Sequence, residues 1–373
     1  MSKSILFISF DPVEYRRRVI NQVETARETG LKVKVISTSD PKIIAKKYNF
    51  EYSAVSIPGF LKRGFLSYPV FNLILLIKIL FVKFDVIHFR GLIPIPAILI
   101  RQLFNGSKLI YDAHEYFRGH QIFKDRPIRQ KIWMWFEKRI AKQVETIITV
   151  CEPLADLLRN DYPEAKTVQV IRSVPLLKIL PKESVDKSAV EKTAVFHGYF
   201  LPGRALENII RAVSKIDDNR IKLMLIGEGP LENKLKMLTY ELNLNDKIQF
   251  HSFIENEELI AFIRKADIGL TIIEPDCINR KYALPNKFFE YIHAGLPVLA
   301  SNIPTLQTYV DKYQVGTTVD PHDFNAIAGT IMEMLSDIQK LLIWQSNCRK
   351  AAGELNWASE SRKLADLYKN VAL

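Results

Sequence analysis

Apolar residues in this chain fall into short runs separated by longer stretches with apolar positions three or four apart. In the first half the runs Ser4–Phe10, Lys32–Ser37, Val86–Phe89, Lys108–Tyr111, Thr146–Val150 and Val168–Ile171 predict strands. The periodic stretches Val19–Thr29 and Ile132–Gln143 predict amphipathic helices between them. Strand and helix in alternation imply a parallel sheet covered on both faces. A segment of mixed charge, 176–193, then breaks the pattern just after Pro175 and reads as a linker. The alternation restarts with strands at Ala194–His197, Lys222–Ile226, Lys247–Phe250, Ile268–Ile272 and Val298–Ala300. Helices are predicted over Arg204–Lys215 and Leu231–Leu242. The chain therefore reads as two doubly wound α/β domains, 1–175 and 194–356, followed by an amphipathic helix at about 357–373. Tandem domains of this kind are expected to bind ligands in a cleft at their strand ends.

A length of 373 residues suits two domains, and 48% hydrophobic with 25% charged residues is a globular composition. The three cysteines, Cys151, Cys277 and Cys348, form no disulfide or metal-ligand spacing, so a reducing cytosol is the expected compartment. The apolar start of the chain lacks the features of an export signal and reads as a buried first strand. The most apolar stretch, Pro69–Phe84, is broken by Asn72, Lys78 and Lys83 and is too short to span a bilayer. Net charge is +11, and residues 1–175 hold 28 Lys and Arg against 16 Asp and Glu, whereas the remainder holds 24 against 25. A basic excess confined to the first half implies an anionic partner there: a lipid surface, a diphosphate-bearing acceptor or nucleic acid. No nucleic-acid-binding module accompanies the charge, so nucleic acid is the weakest of the three.

Candidate chemistry is densest in Leu284–Pro297. Pro285 suits a first helical position, and Gly295 followed by Pro297 stops the helix. The first amides, of Asn286, Lys287 and Phe288, lack internal partners and sit at the positive end of the dipole, open to phosphate oxygens. Lys287 adds a full charge. Glu290, four residues after Asn286, shares its face and is placed to accept hydrogen bonds from ribose hydroxyls. Taken alone, the segment is equally a capped surface helix. A second element, His197–Arg204, runs from strand to helix through Gly198, with Arg204 at the helix start as a diphosphate clamp. Leu225–Pro230, with Gly227, is a third glycine-rich turn, or simply a tight strand-to-helix connection.

In order and spacing these elements, with Phe250-His-Ser-Phe253, resemble the C-terminal domain of family-4 retaining glycosyltransferases of the two-domain GT-B fold. The run Leu284-Pro-Asn-Lys-Phe-Phe-Glu-Tyr-Ile-His-Ala-Gly-Leu-Pro297 carries the resemblance most specifically. The first half is similar to that family too, at Tyr15-Arg-Arg-Arg-Val19, Asp85-Val-Ile-His88, Tyr111-Asp-Ala-His-Glu115, Phe136-Glu-Lys-Arg139 and Ile147–Glu152. The tail resembles the helix that crosses back onto the first domain. The resemblance implies that Arg204 and Lys287 hold the donor diphosphate and Glu290 its ribose. It implies that backbone near Gly227, Ser252 and Phe253 frames the base, and that His114 contacts the transferred sugar. Without the family, His114 reads as a satisfied histidine at a strand end, and Glu115 beside it is a possible acceptor contact.

Two positions depart from the family. Tyr282 stands where its first glutamate usually lies, leaving Glu274 or Asp276 to hold the sugar. Tyr199 stands where an arginine usually follows the glycine, which leaves more of the diphosphate charge to Arg204 and Lys287. The first loop also lacks paired glycines, so Arg17 or Arg18 is expected near the phosphates. The resemblance implies transfer of a hexosyl or N-acetylhexosaminyl unit from a nucleotide sugar, most readily a UDP-sugar, with retention. It implies that no metal or other cofactor is needed, since helix N-termini and cations offset the leaving charge. Cations mixed with large apolar residues at Phe60–Tyr68, Pro69–Phe84 and Arg126–Lys142 suit either a core with solvated cations around it or docking on an anionic membrane, and the second reading leads to a lipid-linked or saccharide acceptor in surface-polysaccharide assembly. A dehydrogenase is excluded by the absence of a glycine-rich turn after the first strand. A nucleotide-sugar epimerase of the same fold and a catalytically degenerate partner subunit remain rivals.

Overall fold

In the computed structural model, which describes residues 3–61, 64, 66–123, 125–176 and 191–372, the chain forms two compact units. The first comprises Met1–Ser173 with Ala358–Leu373, and the second Val174–Trp357. Most of the 176–193 segment lies outside the described residues.

The first unit runs β1 (Ser4–Ser9), α1 (Arg17–Glu28), β2 (Lys32–Ser37), α2 (Pro41–Lys47), β3 (Glu51–Ala54), α3 (Ser67–Ile79) and β4 (Val86–Arg90). It continues with α4 (Ile95–Gln102), β5 (Lys108–Asp112), α5 (Pro127–Ala141), β6 (Val144–Thr149), α6 (Glu152–Asp161) and β7 (Val168–Val170). All seven strands are parallel, in the order β3-β2-β1-β4-β5-β6-β7. Their apolar runs are continuous rather than alternating because helices cover both faces of a parallel sheet. Ile5, Leu6, Phe7 and Ile8 are all at most 2% exposed.

The second unit runs β8 (Lys192–His197), α7 (Leu206–Val213), β9 (Ile221–Ile226), α8 (Glu232–Glu241), β10 (Ile248–His251), α9 (Asn256–Ile263) and β11 (Ile268–Thr271). Then come α10 (Ile278–Lys281), α11 (Asn286–Ala294), β12 (Val298–Ser301), α12 (Pro304–Tyr313), β13 (Gly316–Val319), α13 (Phe324–Ser336) and α14 (Ile338–Glu354). Its six parallel strands follow the order β10-β9-β8-β11-β12-β13. The core between sheet and helices is dense in Ile and Leu, including Ile209, Ile210, Leu223, Leu225, Ile268 and Leu270.

Two strands escape the apolar pattern. β3 and β13 are four residues long and lie at sheet edges. Glu-Tyr-Ser-Ala and Gly-Thr-Thr-Val carry too few apolar residues to register, because an edge strand is only half covered. Helix starts also move. α5 begins at Pro127, not Ile132, with proline in the first turn, where its missing N–H costs nothing.

The final helix, α15 (Trp357–Ala372), returns to the first unit. Its Glu360 is fully buried and accepts hydrogen bonds from Arg172: Nε at 2.8 Å, Nη2 at 2.5 Å and the backbone N–H at 2.8 Å. Burial by itself would raise the Glu360 pKa, but the hydrogen bonds and charge of Arg172 outweigh it and hold the carboxyl below its usual range. Tyr368 Oη lies 2.9 Å from Nδ1 of His88 on β4. Among the described residues no helix is long and apolar enough to cross a membrane. Glu360→Ala removes the buried carboxylate that pairs with the Arg172 guanidinium. It is expected to lower unfolding stability by about 3 kcal/mol, measurable as a reduced urea midpoint.

Candidate functional site

In each sheet the strand order reverses once, between β1 and β4 and between β8 and β11. Successive connections leave in opposite directions there, and open α/β sheets bind ligands outside the carboxyl ends of the strands at such points.

In the second unit this edge is built from two glycine turns in direct contact. Gly198 follows β8 and Gly227 follows β9, with φ of 122° and 141°. A Cβ added to Gly227 would stand 2.2 Å from the carbonyl oxygen of Gly198, so no other residue fits without moving backbone. The Gly198 N–H donates to Ile226 O at 2.9 Å, and the Gly227 N–H to His251 O at 2.9 Å. Ser252 and Phe253 follow β10 immediately at the same edge, both exposed. Tyr199 is 55% exposed beside Gly198 and adds no charge.

Cations converge on these turns. Arg204 is half-buried, but α7 starts only at Leu206, after Ala205 in the left-handed region. The arginine thus sits in the turn before the helix, not in its first turn as the spacing predicts. Lys287 also differs from expectation, because it is no open surface charge. It is 6% exposed, and its Nζ lies 3.4 Å above the centroid of the Phe196 ring. Burial, then the charge of Arg204, pushes its pKa well below the ordinary lysine value, with Glu290 opposing. A Cβ on Gly198 would stand 3.6 Å from that Nζ, so the amine lies against the turn.

α11 starts at Asn286, with Pro285 as its N-cap in extended conformation. One of the three amides expected to be open is already used, since the Phe288 N–H donates to Pro285 O at 3.1 Å. The Phe288 side chain is core. The helix ends at Gly295 in the left-handed region. Glu290 points toward the end of β8, where its Oε2 is 3.3 Å from Nε2 of His197. His197 is kept neutral by burial and then by the charges of Lys287 and Arg204. Its backbone N–H donates to Tyr291 Oη at 3.1 Å, which ties β8 to α11.

Arg280 is a member of this cluster that the sequence pattern does not disclose. It lies on α10 and forms a short ion pair with Asp276. Its guanidinium occupies the place where a Cβ on Gly203 would fall. Its charge, after burial, depresses the pKa of Arg204. Glu274 joins the same turn, its N–H donating to Gly203 O at 3.1 Å. Tyr282 closes α10, partly buried, with the Lys281 amine 5.5 Å from its ring centroid. Gly203 therefore makes room for an arginine 77 positions later, a relation no local reading reveals.

The first unit carries its own pocket at the reversal of its sheet, about 290 Å³ in volume, with Asp11, Arg16, Arg90, His114, Glu115 and Trp133 among its walls. Arg90 donates to Asp11 at 2.5 Å and Arg16 to the same carboxylate at 3.2 Å. Glu115 pairs with His120 at 3.0 Å. Its carboxyl is held at about 2: burial would raise it, but the His120 hydrogen bond and the charges of His114, His120 and Arg90 prevail. His114 is brought here, and its buried Nδ1 has no hydrogen-bond partner among the described residues. Burial and then the Arg90 charge lower its pKa to about 4. Arg18 is a correction. Its Nε and Nη2 each donate to Asp112 at 3.0 Å and its Nη1 to Ile171 O at 2.6 Å, so it is a buried structural tie unavailable to phosphate. Arg17, one residue earlier on α1, is outside the pocket lining.

A histidine with a folded pKa near 4 stays unprotonated above pH 5. The unfolded chain takes up that proton near pH 6.5, so His114 withdraws stability as pH falls from about 6.5 to about 4. The expected observation is no titration of the His114 ring between pH 5.5 and 8, read from its ¹⁵N shifts. In the second unit, Gly227→Ala places a methyl inside the Gly198 carbonyl. It is expected to unfold at markedly lower temperature than wild type.

Comparison with known proteins agrees with this architecture. Residues 16–173 match the model of Glycosyltransferase Family 4 and residues 181–351 that of Glycosyl transferases group 1. An uncharacterized glycosyltransferase of Methanocaldococcus jannaschii, MJ1607, is 27% identical over 196 residues, 52% of this chain and 48% of that protein, so the match spans about half of that relative's length. Sucrose-phosphate synthase from Thermosynechococcus elongatus superposes with a TM-score of 0.77 at 20% identity over 99% of each chain. HepE of Anabaena, solved in complex with UDP and glucose, superposes with a TM-score of 0.76 at 15% identity, covering 99% of this chain and 100% of that one. The seven- and six-stranded parallel sheets with a returning C-terminal helix have the GT-B fold, shared with these structures. The chain carries a Glycosyltransferase Family 4 domain followed by a Glycosyl transferases group 1 domain.

Proposed function

We propose that this chain is a retaining glycosyltransferase that moves a hexosyl or N-acetylhexosaminyl unit from a nucleotide sugar, a UDP-sugar before others, to an acceptor hydroxyl. The observation that carries the reading is a row of neighbouring cations beside the glycine turns: Lys287 lies against Gly198, Arg204 acts on Lys287, and Arg280 fills the space at Gly203 and acts on Arg204. A diphosphate seated against those turns faces backbone with no side chain in the way and three cations. The charge that develops on a leaving diphosphate is stabilised most where fixed donors and cations already surround it. Side-chain cations and the start of α11 do this work, with no metal ion needed. A dianion beside Lys287 also reverses the cost of charging that buried amine.

Glu290 is the ribose ligand, one turn into α11, with the neutral His197 ring beside it. Arg280 supplies the charge that Tyr199 does not. His114, neutral in the first unit's pocket, offers a ring nitrogen to a sugar hydroxyl rather than a charge. The match of HepE, a protein solved with UDP and glucose, supports uracil as the base. The basic first unit, with exposed apolar residues on α3 (Leu73, Ile77) and α5 (Ile128, Trp135), supports a peripheral site on an anionic membrane and a lipid-linked acceptor of a surface polysaccharide.

UDP-sugars are expected to raise the melting temperature of the intact protein. Arg204→Ala, Arg280→Ala and Glu290→Ala should each lose that shift and reduce transfer by about a hundredfold or more while folding normally. Transfer should persist in excess EDTA. Stabilisation by no nucleotide sugar, or wild-type transfer in the three variants, would sink the assignment. UDP release without an acceptor product would redirect it to an epimerase.

A further inference from the structure

A second cavity in the first unit adjoins the His114 pocket. It is a groove of about 680 Å³ between the starts of α3 and α4 and the first half of α5, within the roughly 300–1,000 Å³ range of small-ligand sites. Tyr68, Arg129 and Trp133 line both spaces, so the two meet at these side chains. Pro69, Pro96, Pro127, Ile128, Ile132 and Phe136 make most of the remaining wall apolar, with Asp125 and Arg126 at the start of α5 as its charged rim. The one amide in its wall is already satisfied. Asn72 Nδ2 donates to Tyr68 O at 2.9 Å and Ile93 O at 2.8 Å, and its Oδ1 accepts from the Ala97 N–H at 3.0 Å. A polar occupant would find few partners there, and burying it would cost free energy.

The junction is different. Arg129 lies with its guanidinium carbon 5.5 Å from the Tyr68 ring centroid. Its buried Nε has no hydrogen-bond partner, and among the described residues no carboxylate pairs with it. The order along the path is thus a polar pocket at His114, an unmatched cation at the junction, and an apolar groove beyond.

We infer that the groove holds the hydrocarbon chain of a lipid acceptor, with a phosphate at Arg129 and its hydroxyl-bearing head in the His114 pocket. This rests on the transferase reading and names the acceptor class for it: an anionic amphiphile with a single-chain anchor. Every feature of the path has a counterpart in such a molecule. The chain meets a largely apolar wall, the phosphate meets Arg129 at the junction, and the reacting end meets the histidine.

Alkyl phosphates of four, eight and twelve carbons, each below its micelle concentration, test this by calorimetry on the intact protein. Affinity is expected to rise about fifteenfold from butyl to octyl phosphate, the effect of half-burying four methylenes. Ile132→Asp and Ile128→Asp change groove residues that are 52% and 75% exposed, so folding is expected to survive. Both should abolish the chain-length dependence, and Arg129→Gln should weaken all three ligands alike. Equal affinity for all chain lengths in the wild type would overturn the inference. Undiminished dependence in both aspartate variants would do so too, placing the chain on a general apolar or membrane-facing surface. The UDP-sugar melting shift, read on the same protein, keeps the two proposals apart. Its absence beside groove binding would count against the donor site alone, and its presence without groove binding against this inference alone.

Discussion

A parallel sheet sends the carboxyl end of every strand to one edge, and that constraint organises everything else in this protein. Each crossover must return over a face, so the faces are buried and the edge is left to loops. Where the strand order turns back, between β1 and β4 and between β8 and β11, neighbouring loops part and leave room. In both units the chemistry-bearing residues stand at that reversal. In the first it gathers Asp11, Arg90 and His114 from the ends of β1, β4 and β5. In the second it gathers Gly198, Gly227 and the start of α11.

The two edges differ in how their charges are matched. In the first unit Arg16 and Arg90 share Asp11, Arg18 is held by Asp112, and burial and then the Arg90 charge keep His114 neutral. In the second unit Arg280 is paired with Asp276 and Glu290 opposes the shift of Lys287, yet Arg280 still lowers the proton affinity of Arg204, and Arg204 that of Lys287. Held-together like charges at a glycine-lined edge store unfavourable energy that an anion relieves. Such perturbed groups are a mark of binding sites. Here the mark stands beside a geometric one, the absence of side chains at Gly198 and Gly227.

Rigidity comes from buried polar ties rather than from the site itself. Arg18–Asp112 fixes α1 to the end of β5, and Arg172–Glu360 fixes the last helix to the first unit. Buried pairs of this sort add little net stability, but they are costly to break and so select one arrangement. In the second unit Tyr291 does comparable work, its ring in the space a side chain on Gly269 would need and its hydroxyl on the His197 amide.

The amino-acid sequence by itself determined the two doubly wound units, since buried parallel strands demand continuous apolar runs and eleven of them are legible. It also placed the glycine turns and the helix that starts at Asn286, because backbone turns and helix ends depend on residues close in the chain. Edge strands β3 and β13 stayed hidden, as half-covered strands need few apolar residues. Tertiary structure alone decided the charges. Arg18 looks like a phosphate ligand from its neighbours in the chain, yet Asp112, 94 positions away, claims it. Lys287 looks open but is pressed on Phe196. Arg280 carries no local signal and enters the cluster only because Gly203 leaves it room. Coulomb interactions and steric exclusion act through space between residues distant in sequence. Periodicity cannot record them, and only the folded chain brings them within reach.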